Sequence, residues 1–352
     1  MGVERTRAVL PTTTRAVVFY RPDDVRLESI TLPRLGPGDL LVRITACGLC
    51  ASEVMDWYMA RKAPIPLGHE PVGEVLQRGS AVEAFSPGDR VFVHHHAPCM
   101  RCRACRRGAY VHCTTWRRGK LTPGGLSEFA VAPAEIVDAD TLPIPPEVSD
   151  EAAIFIEPLA TVVKSLRRSR MRQGDRVLVI GLGVMGLLHV MLARRLGAGM
   201  IVGADRVPSR LKRAREAGAG IVVDVTQEQL PEAVRTATDG DGADIVIVGP
   251  GSLEAMQAGF EAAGPASTVI LFTPTEPDAP WPFPVHEAYF REISVVPSYS
   301  CGPDDTREAL RHIRDGLPVE SLITHRLSLD EADEGYRLVR EATDALKVVV
   351  RP

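Results

Sequence analysis

The chain has 352 residues, 45% of them apolar, and a formal net charge of −4. That length accommodates two domains that each bury a core, and a slightly acidic balance gives no general electrostatic ground for binding nucleic acid. No apolar stretch reaches the roughly eighteen residues of a membrane crossing, and MGVERTRAVLPTTTRAVVFY puts charge where a secretory signal has its apolar run. The expected setting is therefore the cytoplasm, with no membrane partner.

In chain order, AVVFY, LLVRITA, VGEVLQRG and DRVFVHH are short β-prone runs separated by turn residues such as PGD. They predict a β-rich, barrel-like domain up to about residue 158. From Glu151 the pattern lengthens: DEAAIFIEPLATVVKSLRRSR reads as helix, DRVLVI as a buried strand, GVMGLLHVMLARRLG as helix and MIVGAD as a second strand. Further strands are expected at ADIVIVGP and STVILFT. Strands alternating with helices predict an α/β fold with a parallel sheet covered on both faces. Beyond residue 300, DDTREALRHIRDG and EADEGYRLVREA read as helices and LKVVV as a final strand. Spacing alone does not show which domain these last elements join.

In VLVIGLGVMGLLHVM, Gly181, Gly183 and Gly186 form GxGxxG directly after an apolar strand and at the opening of a helix. The first glycine allows a tight turn, the second lets a pyrophosphate approach the backbone, and the third lets helix and strand pack closely. Asp205 ends the next strand, where its carboxylate suits a ribose diol and repels a 2′-phosphate, which favours NAD over NADP. Arg206 works the other way, since a guanidinium pairs with a 2′-phosphate. The expected coenzyme contacts are Gly181, Gly183, Val184, Met185, Gly186, Asp205, Arg206 and Arg210.

Four of the seven cysteines fall in APCMRCRACRRGAYVHC. In a reducing compartment such a cluster binds metal or catalyses more often than it forms disulfides. Cys99, Cys102, Cys105 and Cys113 supply four soft thiolates, which close a tetrahedron around zinc and leave no open position, the pattern of a structural site. Arg101, Arg103, Arg106 and Arg107 are expected to offset the charge and lower the thiol pKa values. The competing readings are an iron–sulfur cluster and a basic nucleic-acid patch.

ACGLCASE, then PLGHEPVGEV, the four-cysteine loop, IEPLA and VLVIGLGVMG, in that order, resemble the zinc-dependent medium-chain alcohol dehydrogenase superfamily. The likeness is nearest to its polyol (sorbitol) and threonine dehydrogenase branches and covers nearly the whole chain. It implies a Rossmann domain over 159–299 inserted into a GroES-like zinc-binding catalytic domain over 1–158 and 300–352, with the active site in the cleft between them. It also implies two zinc ions per chain and a homo-oligomer, a tetramer or dimer. Cys50, His69, Glu70 and Glu157 fall on the catalytic zinc positions, and which glutamate touches the metal varies among relatives. Ser52 matches the hydroxyl that takes the substrate proton, Glu53 is placed to orient His69, and Cys47 looks like a packing residue. Many relatives carry a relay histidine where this chain has Met55; Asp56 or one of His94, His95 and His96 is a candidate substitute. Trp57, Tyr58 and Met59 lie in a short Cys50–His69 segment and suit either an apolar or sugar-like face or ordinary packing.

A thiolate, an imidazole and a carboxylate leave zinc a fourth position for water or an alcohol oxygen, as catalysis requires. The expected activity is oxidation of a secondary alcohol in a polyol, sugar or cyclitol by NAD. L-Threonine 3-dehydrogenase is the second reading, for which the sequence shows no counter-charge to the substrate carboxylate. A non-catalytic NAD-binding protein is the third. Cys301 has no evident partner and reads as a free thiol.

Overall fold

The computed structural model describes residues 10–352. Eight strands precede Ile154: β1 (Thr13–Arg21), β2 (Asp24–Thr31), β3 (Leu40–Gly48), β4 (Ile65–Pro66), β5 (Glu70–Arg78), β6 (Arg90–Val93), β7 (Phe129–Ala132) and β8 (Thr141–Pro143). Six more, β9 (Arg176–Ile180), β10 (Met200–Asp205), β11 (Ile221–Asp224), β12 (Ala243–Val248), β13 (Ala263–Leu271) and β14 (Ser294–Pro297), alternate with helices, and β15 (Ile323–Ser328) and β16 (Lys347–Arg351) follow. The chain forms two compact units. One runs up to Ile154 and takes back Arg326–Arg340 and Val348–Pro352; the other is Phe155–His325 with Glu341–Lys347.

In the first unit β1 pairs with β2 and β4, and a seven-stranded sheet runs β15-β16-β3-β5-β6-β8 with β7 also on β3. Its core is built on Leu40, Val42 and Ile44 of β3 against Val75, Val91, Val93, Ala130 and Ile136. Alternate residues of antiparallel strands point to one face, so LLVRI places these three apolar side chains on the core side together. The last residues of β3 carry the register that matters for function: Cys47 and Gly48 lie opposite Pro71 and Glu70 of β5, and opposite Val350 and Val349 of β16. The final strand thus closes onto the first unit.

The second unit holds six parallel strands in the order β11-β10-β9-β12-β13-β14. Leu178, Ile180, Val202, Val246, Val248 and Val269 are buried in its core, as expected of strands covered on both faces. The order reverses beside β9, and in open sheets of this kind ligands bind outside the carboxyl ends at that reversal. Two expectations shift. The helix expected from Glu151 is broken into Asp150–Ala153, capped by Ser149, and Ile156–Ser169. The chain returns to the first unit at Arg326, not near residue 300, because the helix Pro303–Arg314 packs on Ile156–Ser169, where Arg167 Nη2 meets Asp305 Oδ1 at 2.5 Å. Among the described residues no helix is long and apolar enough to cross a membrane.

Candidate active site

The β3–β5 register assembles the first cluster. Cys50 follows Gly48 by two residues and His69 precedes Glu70 by one, so pairing Gly48 with Glu70 brings all three to the same end of the sheet. One ligand atom each from Cys50, His69 and Glu70 lie within 4.8 Å of one another. Gly68 makes the turn into β5 with φ +92°, and a Cβ there would sit 2.2 Å from the backbone nitrogen of Leu126, so only glycine fits. A sulfur, an imidazole and a carboxylate form a donor set that suits zinc with one position open.

Glu53, buried beside the cluster, accepts from Gly68 N at 2.9 Å, from His69 Nδ1 at 3.0 Å and from the Tyr336 hydroxyl at 2.7 Å. Its bond to Nδ1 leaves Nε2 as the donor atom for a cation. Burial alone would push the His69 imidazole down, but the Glu53 carboxylate and the Cys50 sulfur outweigh it and hold His69 well above its ordinary value. Burial likewise opposes ionisation of Glu53, and His69, Tyr336 and the Gly68 N–H overcome it and bring Glu53 below its usual value. The cluster therefore stabilises positive charge, proton or metal. Ser52 Oγ donates to Cys50 Sγ at 3.3 Å. Cys47 is fully buried and burial raises its thiol, which keeps it protonated.

The substitutes suggested for a histidine at Met55 are engaged elsewhere or border the cluster. Asp56 pairs with Arg340 at 2.8 Å. His94 Nδ1 lies 2.6 Å from Asp140 Oδ2, both fully buried. The His95 ring centroid is 5.2 Å from that of His69, and burial holds the His95 and His96 imidazoles well below their ordinary value. Trp57 and Tyr58 meet edge to face at 5.7 Å, and Lys62 Nζ lies 3.5 Å from the Tyr58 ring centroid. Sequence reading passed over both Lys62 and Tyr336. Tyr336 lies 283 residues from its partner Glu53, and no local spacing announces it.

The second cluster is the cysteine loop. Cys99 and Cys102 sulfurs lie 4.0 and 3.5 Å from that of Cys105, and Cys113 completes a group whose sulfurs are all within 4.8 Å of one another. A tetrahedral zinc with sulfur at about 2.3 Å separates its ligands by about 3.8 Å, which the spacing fits. Disulfides, near 2.05 Å, are excluded. Burial opposes ionisation of Cys113, yet the backbone N–H groups of Cys99, Trp116 and Thr115 bring it down to about 6, whereas burial and neighbouring thiols push Cys105 up to about 12. Cys99 is lowered chiefly by the backbone N–H groups of Arg101 and Cys102. The lowering of the thiols expected of the arginines comes chiefly from backbone N–H groups instead; Arg101, Arg103, Arg106 and Arg107 are exposed.

In the second unit the glycine loop divides its tasks. Gly181 has φ +84°, and a Cβ on Gly186 would lie 1.9 Å from the Gly181 carbonyl oxygen; both are required by the turn itself. A Cβ on Gly183 would meet nothing within 4 Å. That glycine serves no internal packing and leaves the approach to the helix Val184–Arg195 open, at an N-terminus with no side-chain cap, as a pyrophosphate requires. Val184 and Met185 open that helix. Asp205 accepts from Leu182 N at 2.6 Å, Arg206 N at 2.7 Å and Val207 N at 2.9 Å, with Arg210 Nη1 at 3.9 Å. Its carboxylate thus braces the glycine loop as well as ending β10. Arg206 is exposed.

Glu157 lies in this second unit, buried in the first turn of Ile156–Ser169. Cys301 is a buried thiol outside any disulfide, as expected, and its Sγ lies 4.0 Å from both the backbone oxygen and Oε1 of Glu157, a hydrogen-bond neighbour the sequence did not reveal.

Residues 36–146 match the family described as the alcohol dehydrogenase GroES-like domain, and residues 184–315 the family described as zinc-binding dehydrogenase. An L-threonine 3-dehydrogenase of Chelativorans sp. (strain BNC1) is 30% identical over 347 residues, covering 96% of this chain and 98% of its own. An erythritol/L-threitol dehydrogenase of Mycolicibacterium smegmatis is 28% identical over 363 residues, covering 97% and 99%. The structure of a zinc-binding dehydrogenase of Sinorhizobium meliloti 1021 bound to NADP gives a TM-score of 0.87 at 28% identity, covering 97% of this chain and 100% of that one. Similarity that runs through both units and leaves almost none of the sequence aside makes this chain a member of the zinc-dependent medium-chain alcohol dehydrogenase family.

Proposed function

We propose that the protein oxidises a secondary hydroxyl of a polyol, sugar or cyclitol to a ketone and passes the hydride to NAD. The convergence of Cys50, His69 and Glu70, with Glu53 on the far nitrogen of the imidazole, is the observation that carries the reading. These three residues would hold the catalytic zinc, and Cys99, Cys102, Cys105 and Cys113 would hold a structural one. When bound, zinc acidifies the substrate hydroxyl and the nicotinamide accepts the hydride. Glu53 fixes the His69 tautomer so that Nε2 is the donor atom. Ser52 directs its own hydrogen to Cys50 Sγ, which leaves its oxygen able to accept a hydrogen bond from the substrate hydroxyl; taking up that proton would require Ser52 to release its own to a further acceptor. Met55 cannot carry that proton further.

Support for NAD comes from the Asp205 charge at the end of β10; Arg206 and Arg210 would lessen the penalty for NADP. The first unit would serve catalysis and the second the coenzyme. We also read the protein as a cytoplasmic homo-oligomer, a tetramer or dimer. Val285, Tyr289 and Phe290, 67%, 73% and 71% exposed, form an apolar surface just before the edge strand β14. L-Threonine 3-dehydrogenase activity is the second reading. It is favoured by the likeness to such an enzyme and by Lys62, a cation in the segment preceding His69 that would answer a carboxylate. Purified protein offered polyols, sugars, cyclitols and L-threonine, with NAD and NADP side by side, tests the proposal by NADH absorbance. Coenzyme binding with no turnover of any alcohol would leave the non-catalytic reading.

A further inference from the structure

A file of rings runs from the four-cysteine loop to His69. Trp116 is buried in the small cluster formed by Cys105, Val111 and Cys113, and its backbone N–H bonds the Cys113 sulfur. Its ring faces that of His96 at a centroid separation of 3.6 Å and an angle of 36°. His96 faces His95 at 3.6 Å and 32°, and His95 reaches His69 at 5.2 Å and 55°. All four rings belong to the first unit.

The middle of this file is held by ring contacts, face to face between His95 and His96 and edge to face from His94 at 5.1 Å to each. His95 Nδ1 and His96 Nε2 are buried and have no hydrogen-bond partner among the described residues. Hydrogen bonds to Glu53, from Nδ1, and to Cys50 hold the His69 ring by its edge; the tilt of the imidazole plane about that edge is set by what lies against its face. Close-packed interiors transmit displacement instead of absorbing it, so a change in the cysteine loop reaches His69 through three ring contacts.

We propose that His95, His96 and Trp116 are positioning residues: the file of rings conveys the fixed shape of the cysteine loop to His69 and sets the plane in which its imidazole meets the cation shared with Cys50 and Glu70. The inference rests on reading both clusters as metal centres.

The test uses the full-length protein loaded with cobalt(II), whose visible absorption reports the geometry of each centre. Metal equivalents per chain are followed during titration with a chelator, for wild type, His96→Ala and His96→Phe. Wild type should hold two ions. His96→Ala should keep the ion of the cysteine loop but release the other about tenfold more readily, the size of effect seen when a residue supporting a metal ligand is lost, with a changed absorption band. His96→Phe restores a ring without its nitrogens and should return the affinity to near wild type. His95→Leu, which removes the ring beside His69, reports the same affinity should His96→Ala fail to fold. Unchanged metal release in His96→Ala and His95→Leu would overturn the inference and leave the metal centres standing. Failure of His96→Phe to rescue would overturn it too, by assigning the role to nitrogen. So would a third ion in wild type that both His96 variants lose, since ring nitrogens of His94, His95 and His96 lie within 4.8 Å of one another. A wild type that takes up no second ion would remove the reading of the catalytic centre itself and this inference with it.

Discussion

Replacing Glu53 by glutamine separates its charge from its shape. Gly68 N and His69 Nδ1 both donate to Oε1, at 2.9 and 3.0 Å, and Tyr336 donates to Oε2 at 2.7 Å. In Glu53→Gln the amide oxygen can take the place of Oε1 and accept both of the first bonds, while the amide nitrogen can donate to the Tyr336 oxygen. The bonds from Gly68 and His69 survive, the contact with Tyr336 is kept with its direction reversed, and the negative charge is lost. Zinc affinity should then fall about 10- to 100-fold, the usual result of altering the partner of a ligating histidine, or about 1.4–2.7 kcal/mol, with a melting temperature close to wild type. Glu53→Ala should behave differently. It strands the Gly68 N–H and the Tyr336 hydroxyl in the interior, at about 1–3 kcal/mol each, so thermal stability drops as well. Chelator competition and thermal denaturation of the two variants measure both quantities. Wild-type zinc affinity in Glu53→Gln, or wild-type stability in Glu53→Ala, would refute the role assigned to Glu53.

The glycine loop gives a matched pair of substitutions. Gly183→Ala should fold with unchanged stability, since its Cβ meets nothing and φ is −67°, yet weaken coenzyme binding tenfold or more by calorimetry. Gly186→Ala should cost stability, about 1–3 kcal/mol or more for an overpacked site, because its Cβ would press on the Gly181 carbonyl; equal behaviour of the two would contradict the division of tasks. Cys99→Ser should lower the melting temperature and release one zinc, and an unchanged midpoint would argue against a structural ion. Glu151 pairs with Arg326 at 2.7 Å and with Arg351 at 2.5 Å, and these guanidiniums hold its carboxyl below the usual value. A lowered folded-state pKa means stabilisation that is complete above the unfolded value near 4.3 and lost as pH falls through the folded one. Glu151→Gln should therefore be less stable than wild type at pH 7 and show a flatter melting curve against pH below about 4.3; parallel curves would exclude the linkage.

Much of this arrangement was legible because its signals are local. Gly181, Gly183 and Gly186 sit within six residues between a strand and a helix, Cys99 to Cys113 within one loop, and Glu53 three residues from Cys50. What escaped reading depends on pairings across long stretches of chain. Tyr336 reaches Glu53 from a helix near the C-terminus, and Cys301 meets Glu157 across 144 residues. The boundary expected near residue 300 moved to Arg326 because Asp305, one residue of a plainly amphipathic helix, finds Arg167 in the second unit. The arginines of the cysteine loop misled for a different reason: side-chain charge is visible in sequence, whereas the backbone N–H groups that lower Cys113 exist only once the loop has folded.

Metal content and turnover measured together in wild type and Cys50→Ala test the central claim most directly. The expected result is about two zinc ions per chain and NADH production from at least one polyol in wild type, against one ion, no turnover and intact NAD binding in Cys50→Ala. Turnover that persists without Cys50, or a variant that keeps both ions, would contradict the assignment of Cys50, His69 and Glu70 as the catalytic centre.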